Sequence, residues 1–138
     1  MEFWKMHGLG NDYIVVDDRN QKFYYVAELA KKLCKRRFSV GADGLLLVRR
    51  SEVADIKMRI LNADGSEAEM CGNGIRCFAK YCYENDIVKK TEFTIETLSG
   101  LKNVWLTVKN MEVASVKVDM GAPNWQRDLF LCWGRIRA

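Results

Sequence analysis

Apolar and polar positions along the chain change period several times, and each change marks an element. Phe3 to Met6 read as a short strand, followed by the loop His7-Gly8-Leu9-Gly10-Asn11-Asp12 and a second strand, Tyr13 to Asp17. Val26, Leu29, Ala30, Leu33 and Cys34 recur at helical spacing, which predicts an amphipathic helix over Val26 to Arg37. Gly41-Ala42-Asp43-Gly44 then turns the chain into a buried strand, Leu45 to Val48. Ile56, Met58 and Ile60 alternate with Lys57 and Arg59, the pattern of a half-buried strand. That strand ends in Asn62-Ala63-Asp64-Gly65, whose Asp-Gly step favours a tight turn with positive φ. A brief strand around Ala68 to Met70 leads into Cys71-Gly72-Asn73-Gly74. Ile75, Phe78, Ala79 and Cys82 then mark a second helix running to about Asn85.

The remainder reads as β. Phe93, Ile95 and Thr97 alternate with polar residues, Ser99-Gly100 turns the chain, and Val104, Leu106 and Val108 alternate back as a hairpin. Val116, Val118 and Met120 supply one more strand. The expected class is α+β, with a mostly antiparallel sheet and two helices. Residues 1–120 are expected to form one domain and 121–138 to start a segment leading out of it. After Pro123 the pattern dissolves, and Leu129 to Ala138 contains no recognisable element, so this tail is expected to be truncated or out of frame.

Composition narrows the function classes. The chain has 138 residues, enough for one domain with a real core, and its 49% hydrophobic and 29% charged residues exclude disorder. The net charge of +4 is mild, and its densest block, Lys31, Lys32, Lys35, Arg36 and Arg37, falls within the first helix as a solvated face. No aromatic residues alternate with it, so no nucleic-acid surface is expected. Neither a signal-peptide core at Met1 to His7 nor an apolar run of membrane-spanning length is present, so a cytoplasmic protein without membrane contact is expected. The cysteines, Cys34, Cys71, Cys77, Cys82 and Cys132, are odd in number and form no C-x-x-C pair, which argues for free thiols. His7 is the single histidine, and the cysteine spacing does not suit zinc, so no metal site is expected.

The glycine-bearing loops invite nucleotide-binding names that fail. A dinucleotide loop needs a third glycine three residues after the second, and Tyr13 and Cys77 stand at those places. The more informative block is Met70-Cys71-Gly72-Asn73-Gly74-Ile75-Arg76. A cysteine just before a helix faces unpaired N–H groups and the positive end of the helix dipole, a setting that favours a thiolate. The small glycines let a ligand approach the backbone, and free amides suit a carboxylate. Cys71 therefore stands where a thiolate base and an anion site would coincide; the competing reading is a small apolar residue beside a turn. Cys77, Cys82 and Cys34 fall on apolar helix faces and read as core. Asn11 and Asn62 occupy turn-forming positions, yet neutral amides are also what a pocket for a zwitterionic amino acid requires. Pairing of His7 with a cysteine nucleophile is less favoured than a loop or core histidine.

Taken together, Phe3 to Tyr13, Gly41 to Gly44, Asn62 to Ser66 and Cys71 to Cys77 resemble, in order and spacing, the diaminopimelate epimerase family, with Met120-Gly121-Ala122-Pro123 similar to the close of that family's first half. The resemblance covers about residues 1 to 125. It implies one of two similar α+β halves, each a curved sheet wrapped around a central helix, with the active site between them. It implies no pyridoxal phosphate or other cofactor and no metal. One thiolate would remove the α-proton of LL- or meso-diaminopimelate, and an opposing thiol would deliver a proton to the other face. Carried over, Cys71 is the catalytic cysteine of the first half, Gly72 and Asn73 bind the substrate carboxylate, and Asn11 and Asn62 contact substrate. Gly44 matches a position where some members carry a substrate-touching side chain, which glycine lacks.

The second Cys-Gly block, the substrate-binding Glu-Arg pair and the returning C-terminal strand of the family do not occur in these residues. Cys132 precedes Trp133 rather than a glycine-rich helix start, so it is not taken as the second cysteine. A homodimer or pairing with a separate C-terminal half is expected. The alternatives are a non-catalytic half-domain acting as an interaction module, and a related cofactor-independent racemase or isomerase; the Asn62–Ser66 and His7–Tyr13 blocks argue against the latter.

Overall fold

Each of the two helices bridges a pair of neighbouring strands that run in the same direction, a connection that parallel strands require. The computed structural model describes residues 1–121 and the backbone of Trp133 and Gly134. Cys132 and the expected divergent tail, apart from Gly121, Trp133 and Gly134, lie outside the described residues. Strands β1 (Trp4–Gly8) and β2 (Asn11–Asp17) form a hairpin, α1 (Val26–Cys34) follows, and β3 (Gly44–Arg49) then lies parallel to β2. Strand β4 (Ile56–Asn62) runs antiparallel to β3 and carries the two-residue β5 (Glu67–Ala68) at its end. Helix α2 (Gly72–Glu84) leads to β6 (Glu92–Thr97), parallel to β4. Strands β7 (Gly100–Lys109) and β8 (Glu112–Val118) extend the sheet as a meander, and β9 (Trp133–Gly134) pairs with β8.

Among the described residues the strands form one sheet in the order β1-β2-β3-β4-β6-β7-β8-β9. The expected α+β class holds, and most pairings are antiparallel, but β2–β3 and β4–β6 are parallel. Alternation within single strands does not reveal direction, so this mixture is a tertiary result. The short strand at Trp133–Gly134 was also not expected from the pattern.

The sheet curls around α2, which contacts β1, β2, β3, β4, β7 and β8. Ile75, Phe78, Ala79 and Cys82 are fully buried there against Met6, Tyr13, Val15, Leu46, Met58, Val104 and Val116. Helix α1 covers the opposite face, where Val26, Ala30 and Cys34 pack on Ile14, Val16, Leu45, Leu47 and Leu61. Strands β2 and β3 are thus buried on both faces, which is why Tyr13–Val16 and Leu45–Val48 read as continuous apolar runs.

The strands at the start of the chain reach further than the pattern indicated. β1 continues to Gly8 and β2 begins at Asn11, leaving a two-residue turn. Leu9 (φ 53°) and Gly10 (φ 85°) both have positive φ, as a hairpin turn matched to sheet twist requires. Asn110 (φ 51°) and Met111 (φ 65°) repeat that geometry between β7 and β8. Helix α1 ends at Cys34 rather than Arg37, which itself has φ 70°. Among the described residues, no helix is long and apolar enough to cross a membrane.

Candidate active site

Cys71 caps the N-terminus of α2 with extended backbone (φ −145°, ψ 120°), and its side chain makes no capping bond. The first intrahelical bond runs from Ile75 N–H to the Cys71 carbonyl at 2.9 Å, so the amides of Gly72, Asn73 and Gly74 precede the helical ladder. No acidic residue sits in the first turn to occupy that end. The β1–β2 hairpin closes over it from one side. A Cβ on Gly8 would lie 3.3 Å from the Asn73 carbonyl oxygen and 3.4 Å from the Asn73 Cβ, so a bare glycine allows this approach.

Period-two alternation along β2 puts Asn11 and Tyr13 on the α2 face. The Tyr13 hydroxyl lies 2.8 Å from Cys71 Sγ and donates to Asn11 Oδ1 at 2.9 Å. Cys71 Sγ is 3.6 Å from the same Asn11 oxygen, and Asn73 Nδ2 donates to it at 3.4 Å. Arg76 donates to Asn73 Oδ1 from Nη2. Arg76 is 1% exposed, and its Nε and Nη1 have no partner among the described residues. Burial, followed by the hydrogen bond to Cys71, pushes the Tyr13 phenol well above the usual tyrosine range.

A charged network supports Asn11 from behind. Asn11 Nδ2 donates to Asp43 Oδ2 at 2.7 Å, and Asp12 N–H donates to the same oxygen at 3.0 Å. Arg36 reaches Asp12 at 2.7 and 3.1 Å and Asp43 at 3.2 Å, while Lys5 pairs with Asp12 at 3.1 Å and donates to the Gly41 carbonyl. The Arg36 guanidinium, and after it Lys5, hold the Asp12 carboxyl well below the ordinary carboxylate range despite opposing desolvation. Asn11 and Asp12 belong to the Gly-Asn-Asp block and Gly41 and Asp43 to the Gly-Ala-Asp-Gly block, so the structure brings two distant sequence blocks together around one asparagine.

Of the residues singled out from sequence, Cys71, Asn11 and Asn73 thus converge, with Gly72 at the same helix start. Asn62 stands differently. It lies abreast of Gly44, which lies abreast of Tyr13, so all three share the α2 face across β4, β3 and β2. Asn62 is two strands away, about 10 Å in strand spacing. Its Nδ2 donates to Ser66 Oγ at 2.9 Å, and its backbone N–H donates to the Ser66 carbonyl at 2.7 Å. The Asp-Gly turn beneath it forms as expected, with Gly65 at φ 87°. At Gly44, a Cβ would come within 2.8 Å of the Leu61 carbonyl oxygen and 3.1 Å of the Tyr13 ring, so the bare position gives that ring its place.

Tyr13 and Arg76 were not read as site residues. The only sequence signal for Tyr13 was its position two residues after Asn11 in a strand; Arg76 gave none, since an arginine in the second turn of a helix ordinarily faces solvent. His7 pairs with Asp12 in the hairpin register, one position off the Met6–Tyr13 pair whose side chains face α2. Cys34, Cys77 and Cys82 are buried, as expected of core thiols, and burial pushes Cys34 up to about 11 and Cys77 up to about 12. Among the described residues, no group of three His, Cys, Asp or Glu side chains is placed to hold a metal ion.

A sheet curled about one helix is a fold that this chain shares with solved structures of low sequence identity. A Bacillus anthracis phenazine biosynthesis protein of the PhzF family superposes with a TM-score of 0.68 over 86% of this chain and 40% of its own, at 24% identity. A hydroxyproline epimerase from Agrobacterium vitis gives 0.67 over 84% and 40%, at 18% identity. At such identities the likeness is one of fold.

Sequence places the chain more narrowly: it belongs to the diaminopimelate epimerase family, which residues 3–126 match. A diaminopimelate epimerase from Caldanaerobacter subterraneus is 61% identical over 123 residues, and one from Methanococcus maripaludis is 54% identical over 123. In both cases the match takes 89% of this chain and 44% of the relative, so the chain spans less than half the length of these relatives.

Proposed function

We propose that this chain supplies the first half of a cofactor-independent diaminopimelate epimerase, in the cytoplasm, on the route to lysine and cell-wall precursors. Residues 1–120 are its N-terminal module, and Cys71 exchanges the substrate's α-proton. Cys71 thiolate takes that proton to become the thiol, and the electron pair of the broken C–H bond stays on carbon. Gly72 and Asn73 receive the substrate carboxylate at the start of α2, where free amides offset the developing charge. Asn11 and Asn62 hold the polar groups of the amino acid. Inversion requires a second acid on the opposite face, and Cys34, Cys77 and Cys82 are buried, so a second half supplies it.

The observation that carries this reading is the placement of a half-buried Cys71 at the N-terminus of α2, with Tyr13, Asn11 and Asn73 converging on it. The test is solvent deuterium exchange into the α-position of LL- and meso-diaminopimelate. The chain is assayed alone and mixed with the C-terminal half of a full-length relative, with Cys71→Ser in parallel. Exchange in the mixture that Cys71→Ser abolishes is the expected result. A folded mixture with no exchange, or exchange that survives Cys71→Ser, overturns the assignment.

A further inference from the structure

Two amide groups beside Cys71 have only one workable orientation. Asp43 can only accept, so Asn11 must turn Nδ2 toward it at 2.7 Å and present Oδ1 to Tyr13 and Cys71. Arg76 can only donate, so Asn73 must turn Oδ1 toward it and present Nδ2 to Asn11. Asn11 Oδ1 is therefore a fixed acceptor. The Tyr13 hydroxyl has one hydrogen and stands between that acceptor at 2.9 Å and Cys71 Sγ at 2.8 Å.

We propose that Tyr13 is a positioning residue whose hydroxyl hydrogen alternates between Asn11 and Cys71 according to whether Cys71 carries its proton. This rests on the reading of Cys71 as the proton-exchanging group. With Cys71 a thiol, its S–H donates to the Tyr13 oxygen or to Asn11 Oδ1, and Tyr13 donates to Asn11. With Cys71 a thiolate, sulfur can only accept, and Tyr13 turns its hydrogen onto it. Asn11 Oδ1 then keeps only the 3.4 Å contact from Asn73 and is open to an N–H of the incoming substrate. Thiolate formation and the vacating of a substrate acceptor are one event, so the site presents its ammonium-binding oxygen when its base is ready. The phenol remains a donor throughout, because burial and the thiol both oppose its ionisation. The other groups facing the pair are Asp43 ahead of β3, and Arg76 and Cys77 of α2. Cys77 does not ionise near neutral pH, since burial pushes it up to about 12.

The test needs no substrate, so its failure is separable from failure of the proposed activity. Iodoacetamide alkylation of Cys71, followed by peptide mass spectrometry, is measured against pH for the full chain, Tyr13→Phe and Asn11→Ala. Tyr13→Phe removes one oxygen from a buried ring, and circular dichroism checks that the fold is kept. Its alkylation is expected to be about fivefold slower near neutral pH, with the difference vanishing or reversing at alkaline pH, because a charge-assisted hydrogen bond to the thiolate is lost. Asn11→Ala removes the competing acceptor and is expected to speed the reaction near neutral pH. Profiles for Tyr13→Phe that superimpose on the parent, or differ by one constant factor at every pH, overturn the proposal. So does a change of the same sign in both variants.

Discussion

Asn11 donates its side-chain amide to the Asp43 carboxylate at 2.7 Å across 32 positions of sequence, and this bond sets which end of the amide faces Cys71. The two residues sit on adjoining parts of β2 and the turn before β3, both partly exposed to water. A double-mutant cycle with Asn11→Ala and Asp43→Ala is expected to return a coupling of about 0.5–1 kcal/mol in urea unfolding. Additive effects within error would mean that the pair is not formed in solution.

Acidification is expected to weaken the fold through the same network. Asp12 is held below its ordinary value of 3.8, chiefly by Arg36, and its folded value is therefore lower than its unfolded one. Such a group contributes stability that is fully present above the unfolded value and is lost as pH falls through the folded one. Asp17 beside Arg19, Asp55 beside Lys90 and Glu67 beside Arg59 are shifted in the same direction. The urea midpoint should thus fall between about pH 5 and pH 3, and fall less in Asp12→Asn. An equal drop in parent and variant would show that Asp12 is not a contributor.

The thiols should separate by reactivity. Cys34, Cys77 and Cys82 are 3% exposed or less, whereas Cys71 is half-buried at a helix start. Under native conditions a limiting amount of iodoacetamide is expected to modify Cys71 well before these three, as tryptic peptide masses would report. Modification of Cys77 or Cys82 at a similar rate would mean that α2 opens readily from the sheet.

Met111 offers a gain in stability. It is 89% exposed and adopts φ 65°, in a two-residue turn whose first position, Asn110, tolerates the left-handed region. Met111→Gly forms an Asn-Gly step, relieves the strained φ and sacrifices no packing. An increase of about 0.5 kcal/mol in unfolding free energy is expected from thermal or urea denaturation. A decrease would show that the flexibility added to the unfolded chain outweighs the relief.

Much of the local structure was legible in the residues themselves. Helical spacing placed α1 and α2, alternation placed β4, β6 and β7, and Asp64-Gly65 marked a turn that forms with glycine at φ 87°; the strand expected over Val116 to Met120 is β8, which begins at Glu112 and ends at Val118. The expectation of a curved sheet around a central helix, which came from the resemblance, also matches the structure. Boundaries were less legible where strand and turn residues overlap: His7-Gly8 and Asn11-Asp12 looked like loop but lie in paired strands. The last turn expected of α1, to Arg37, is absent because the chain reverses after Cys34 to bring Gly41 N–H to the Leu33 carbonyl.

The sequence by itself determined the family and the cysteine at a helix start, because each is a local matter of residue type and spacing. Only the tertiary structure decided that β2–β3 and β4–β6 run parallel, that Tyr13 reaches Cys71 over 58 positions, and that Asp43 and Arg76 orient Asn11 and Asn73. Strand direction and amide orientation depend on partners brought from distant parts of the chain. A donor or an acceptor has no defined role until folding places its complement within about 3 Å.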